Sequence, residues 1–102
     1  MKRRLPEGEE TLPVAELEGE LLTSAHPKFR LSDLLEPAST RLLIERKRMR
    51  VNQGRVATIY RIRYQLTPEE QISHMELQDA IGLELIEAER KLLDEELRIL
   101  RA

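Results

Sequence analysis

Six arginines hold the strongest ligand chemistry in this chain: Arg46, Arg48, Arg50, Arg55, Arg61 and Arg63. A guanidinium presents a planar fork of N–H donors that matches the oxygens of a phosphate or a carboxylate, and it stays charged throughout the physiological pH range. Residues 41–63 hold eight Lys/Arg against one acid, Glu45, whereas residues 7–40 hold eight acids and residues 64–102 hold ten. The formal net charge of −2 conceals this arrangement of a basic stretch between acidic flanks. Two chemistries follow. The arginines can contact the phosphate backbone of a nucleic acid, or they can pair with carboxylates of the same chain or of a protein partner.

The remaining residues offer less. There is no Cys, which removes disulfides, thiolate metal sites and cysteine nucleophiles together. His26 and His74 are the only histidines, and nothing in their spacing joins them with a carboxylate into a metal site. Glu70 and His74 stand four apart, an ordinary pairing on a helix surface. No phosphate loop, dinucleotide fingerprint, zinc-protease motif or serine nucleophile elbow occurs. Adjacent acids such as Glu69/Glu70 and Glu95/Glu96 point different ways on a helix and do not make a catalytic dyad. The expectation is therefore a non-enzymatic binding protein with no metal and no cofactor.

Two elements must position the arginines. Asn52-Gln53-Gly54 carries turn chemistry, and its flanks are rich in strand formers, which predicts an antiparallel β-hairpin over about 41–66. Pairing Val51 with Val56 gathers Val56, Thr58, Tyr60, Ile62, Tyr64 and Leu66 on one mostly apolar face and all six arginines on the other. Thr67-Pro68-Glu69-Glu70 then opens a helix: Thr67 caps, Pro68 fits the first position, and Glu70 completes a capping box. No proline follows, so one long amphipathic helix is expected over about 68–101.

The apolar residues of that helix fall in two stripes. Ile72, Met75, Leu83, Ile86, Leu93, Leu97 and Leu100 cluster on one side; Leu77, Ile81, Leu85, Ala88, Leu92 and Ile99 cluster on another. A hairpin covers one stripe, and a second copy of the chain is the expected cover for the other. Gly82 marks either a close approach or a break.

Before the hairpin, residues 1–10 read as a disordered tail, Pro13–Ser24 as a short helix, and Ser32 as the cap of a very short helix, Asp33–Glu36. The 102 residues suit one small domain over 11–102, with an aliphatic core, since the chain has one Phe, two Tyr and no Trp. No apolar run approaches the length of a membrane span, and no signal sequence is evident, so the cytoplasm is the expected compartment. The fold class expected is α+β: short N-terminal helices, a basic hairpin and a long C-terminal helix, packed as a homodimer with coiled-coil character. The expected function is a small regulatory protein that contacts nucleic acid through the arginine-rich hairpin. The alternative is an accessory or assembly factor that binds a protein partner and holds its arginines in a salt-bridge network.

Overall fold

The basic stretch begins as a helix, not as a strand. In the computed structural model, which describes residues 9–33 and 37–101, helix α1 spans Thr40–Asn52. Ser39 caps it, its hydroxyl accepting from Leu42 N at 3.1 Å. The chain leaves α1 through Gly54, at φ 69°, with Gly54 N donating to Val51 O at 3.0 Å and Arg55 N to Arg50 O at 2.9 Å. This pair of bonds is a Schellman ending, for which glycine is favoured. Asn52-Gln53-Gly54 is thus the end of a helix and not the turn of a hairpin. The hairpin expected over 41–66, and with it the Val51–Val56 pairing, does not form. Leu, Arg, Lys, Met and Glu are all good helix formers, so local propensity sides with α1.

Two small hairpins accompany the helices. Strand β1, Pro13–Leu17, pairs antiparallel with β2, Glu20–Thr23. Both residues of their turn have positive φ, Glu18 at 51° and Gly19 at 83°, the geometry whose twist matches a two-residue hairpin loop. Pro13–Ser24 is therefore a hairpin where a short helix was expected. Gly19, a weak point in the helical reading, is what makes the turn. Strand β3, Ile59–Tyr60, pairs with β4, Gln65–Leu66, through Ile59↔Leu66 and Tyr60↔Gln65. Residues 31–33 form a single 3-10 turn; the rest of the expected Asp33–Glu36 helix lies outside the described residues, as do residues 1–8 of the expected tail.

The C-terminal third is two helices. Helix α2 spans Pro68–Leu77 and α3 spans Ala80–Arg101. The start of α2 is as expected, with both hydrogen bonds of the Thr67/Glu70 capping box present. The break falls at Gln78, which adopts a left-handed conformation at φ 53°. Asp79 then caps α3, its carboxylate accepting from Gly82 N at 2.7 Å. Gly82 permits the close approach: a Cβ there would stand 1.8 Å from the carbonyl oxygen of His74.

These elements enclose one aliphatic core. Val14 of β1, Leu42 and Leu43 of α1, Met75 of α2, and Ile86 and Leu93 of α3 are buried together. Helix α1 packs against β1, α2 and α3, and so occupies the centre of the fold. The observed class is α+β, with three α-helices and two minimal antiparallel hairpins among the described residues.

Candidate functional site

Helix α1 sorts the arginines. Its buried face is Leu42, Leu43, Arg46 and Lys47, at helical spacing, so two cations share the buried side with two leucines. Arg46 is fully enclosed. Its Nη1 donates to the carbonyl of Pro13 at 2.7 Å, its Nη2 lies 2.7 Å from Glu96 Oε2, and its Nε lies 3.6 Å from Glu89 Oε1. Arg50, one turn further on, pairs with the other oxygen of Glu89. Glu89 and Glu96 are themselves buried, on the inner face of α3. The contact with Glu96 is at hydrogen-bonding distance, whereas the 3.6 Å contact of Nε with Glu89 is coulombic. Burial raises the Glu96 carboxyl above its ordinary range, against the opposing pull of Arg46. Burial likewise lowers the Lys47 ammonium, with Arg50 adding to the effect and Glu89 opposing it.

The single arginine face expected from the sequence does not assemble. Arg46 and Arg50 point into the fold. Arg48 bridges α1 to α2 through Glu76, with Nη2 2.7 Å from Oε1, and also meets Glu45 at 3.3 Å. Arg55 donates to Gln53 Oε1 at 2.9 Å beside the end of α1. Arg61 and Arg63 alone lie in the loop of the β3–β4 hairpin, both exposed.

That loop is open to solvent along its whole length. Tyr60, Arg61, Ile62, Arg63 and Tyr64 follow one another, with Tyr60 73% and Ile62 103% exposed. Tyr64 is exposed as well. The base of the loop is held firmly. Arg61 N donates to Tyr64 O at 2.8 Å, and the buried Gln71 side chain of α2 donates to Ala57 O at 3.0 Å and to Leu66 O at 3.1 Å. A fixed base and an open tip present two tyrosines, two arginines and an isoleucine to solvent together. Strand alternation places the tyrosines and Ile62 on the mostly apolar face of a longer hairpin, but the strand expected opposite them is α1.

The second expected stripe lies along α3 and the end of α2. Leu77 is 74% and Leu92 is 45% exposed, and Ala88 is exposed. Ile81, Leu85 and Ile99 are half-buried, and Leu85 reaches the edge of the core. Met75, Ile86 and Leu93 of the other stripe are buried. Leu83, placed in that stripe by the sequence, is exposed instead: the buried arc of α3 runs through Gly82, Ile86, Glu89, Leu93 and Glu96, and Leu83 lies at its edge, about 100° from Gly82.

His26 and His74 each face a different carboxylate. His26 Nε2 lies 3.4 Å from Glu20 Oε1, and His74 Nδ1 lies 2.5 Å from Asp79 Oδ2 at the α2–α3 junction. The Asp79 carboxyl is held below its usual range, first by the Gly82 amide and then by His74. Among the described residues no group of three or more His, Asp or Glu is placed to hold a metal ion, and no helix is long and apolar enough to cross a membrane.

Comparison of the chain with known protein families, with curated proteins and with solved structures finds no match.

Proposed function

We propose that this chain is a non-enzymatic accessory protein that binds a protein partner through the tip Tyr60–Tyr64 and self-associates through the apolar stripe of α3. The observation that carries the reading is the tip itself: tyrosine and arginine alternate around a fully exposed isoleucine on a hairpin whose base is tied to α2. Tyr and Arg are the residues most enriched at the energetic centres of protein interfaces. An isoleucine with no cover gains most from an apolar pocket, and flanking arginines favour a pocket with an acidic rim. Arg46, Arg48 and Arg50 are engaged with carboxylates of their own chain, in line with the salt-bridge reading of the arginine cluster.

A second reading is contact with nucleic acid, favoured by the same alternation, since arginines meet phosphates and tyrosines stack on bases. With Arg55, Arg61 and Arg63 as its cations, the footprint is small against the several phosphate contacts of a strong nucleic-acid binder.

The test is a photo-crosslinking residue at Ile62, with a control at the exposed Glu87 of α3. A discrete protein adduct from position 62, absent from position 87 and lost in Arg61→Glu/Arg63→Glu, supports the protein partner. A nuclease-sensitive adduct with the same dependence transfers support to nucleic acid. Equal labelling from both positions removes the tip from either role.

A further inference from the structure

We infer that the partner across α3 is a second copy of this chain running antiparallel, with Lys91 beside the two-fold axis. The inference rests on the self-association reading above and assigns it a geometry.

Ile81, Leu85, Ala88, Leu92, Glu95 and Ile99 follow one another at intervals of four, three, four, three and four residues. That is the spacing of a coiled-coil seam, with Leu85, Leu92 and Ile99 at one core position of the heptad and Ile81, Ala88 and Glu95 at the other. This seam is only partly covered in the monomer: Leu92, Ala88 and Glu95 are exposed, and Ile81, Leu85 and Ile99 are half-buried. On one flank of the seam stand Gly82, Glu89 and Glu96, all buried, and α1 supplies the arginines that meet the two acids. On the other flank stand Glu84, Lys91 and Arg98, all exposed.

Those flanks decide the direction. In a parallel pair each core residue meets its own copy. Glu95 would then face Glu95 of the partner subunit inside the seam, and Ala88 would face Ala88 of the partner subunit, leaving a gap. Glu84 would approach the partner's Glu89, a like charge already engaged with arginines. Antiparallel packing removes these three conflicts; the like charges it brings together at the axis are the exposed Lys91 pair and the Glu89 pair, each Glu89 being already neutralised by Arg46 and Arg50 of its own chain. Ile81 meets the partner's Ile99, Ala88 meets the partner's Leu92, so that small packs against large, and Leu85 meets the partner's Glu95. The Glu95 carboxylate lies 3.2 Å from Arg98 of its own chain and is held at the rim. Along the open flank Glu84 meets the partner's Arg98, twice by symmetry. Lys91 meets Lys91 of the partner subunit across the axis. An isologous interface requires this reciprocity, and the single chain supplies both members of each pair.

The experiment uses the full chain in sedimentation equilibrium at tens of micromolar, a range chosen for moderate affinity. The wild type is expected to be a dimer. Leu92→Glu, at an exposed position, should weaken it about a hundredfold, since symmetry removes the leucine from both partners. Glu84→Arg and Arg98→Glu should each weaken it about two- to tenfold, and the double reversal should recover the wild-type constant. Glu95→Leu should tighten it. Direction is read from spin labels on single cysteines, which the cysteine-free chain permits. Labels at Lys91→Cys should lie close together, and labels at Ala80→Cys should be separated by on the order of 30 Å along the axis, at about 1.5 Å per residue. A wild type that is monomeric overturns the self-association reading and this geometry together. A dimer indifferent to Leu92→Glu keeps self-association and overturns the seam. Close labels at both positions keep the seam and overturn the antiparallel direction.

Discussion

Replacing Arg46 by methionine tests the centre of the fold. The side chain is fully buried, and it faces two carboxylates, Glu89 and Glu96, and the carbonyl of Pro13. Arg46→Met keeps much of the volume and removes the charge. Glu89 retains Arg50, so the loss falls on Glu96 and on the Pro13 carbonyl, which has lost its donor. Breaking a buried pair by removing one member costs about 3–5 kcal/mol, a large part of the roughly 5–15 kcal/mol that holds a domain folded. The loss depends on pH. Glu96 already sits above the ordinary carboxyl range, and without Arg46 it rises further. The folded state then binds a proton that the unfolded state does not, so the deficit shrinks as pH falls toward the unfolded carboxyl value and is full above the raised one. The second variant, Arg46→Met/Glu96→Gln, removes the stranded charge and should recover most of the loss at pH 8. The assay is urea unfolding followed by helical circular dichroism at pH 8 and pH 5, at fixed protein concentration because association adds to apparent stability. An Arg46→Met cost no larger than an ordinary surface change of about 0.5 kcal/mol, or a double variant no more stable than the single one at pH 8, would refute the buried-pair account.

In the native background Glu96→Gln should flatten the same dependence. Wild-type stability should decline as pH rises from the unfolded carboxyl value of 4.5 through the raised folded one, and the variant should lack that decline in a series of unfolding curves. Gly82→Ala should destabilise by about 1–3 kcal/mol in thermal unfolding, because the added Cβ meets the His74 carbonyl and forces α3 off α2. An exposed glycine inside a helix would instead gain about 1 kcal/mol from the same change, so the sign of the shift separates close packing from simple helix propensity.

Signals written in local chemistry were legible in the sequence. Thr67, Pro68 and Glu70 announced the start of α2, and the capping box is there because each of those residues satisfies an otherwise orphaned amide. The burial of Met75, Ile86 and Leu93, and the exposure of Leu77 and Leu92, follow the two-stripe reading of the C-terminal third. The break at Gln78 was anticipated only as a choice at Gly82. That glycine marks the close approach that follows the break, while the break itself lies four residues earlier, where no proline or glycine advertises it.

The helical period of residues 40–52 is hidden for a physical reason. Hydrophobic periodicity is counted on apolar residues, and the inward face of α1 is half cationic. Leu42 and Leu43 are followed one turn on by Arg46 and Lys47 and another turn on by Arg50, so the period of 3.6 is present only when buried cations are counted as core. With them discounted, Leu42, Leu43, Ile44 and Val51 read as strand, and Gly54 reads as the turn. The counter-charges were visible too. Glu89 and Glu96 are seven apart, two turns on one face of α3, as Arg46 and Arg50 are one turn apart on α1. Acids and bases that each recur on one helical face of two segments are the trace that this buried ionic layer leaves in the sequence, with Arg46 alone reaching both acids. The same layer explains why the arginines divide. Those on the inner face of α1 join it to Glu89 and Glu96 of α3, while Arg61 and Arg63 stand exposed in the loop between β3 and β4.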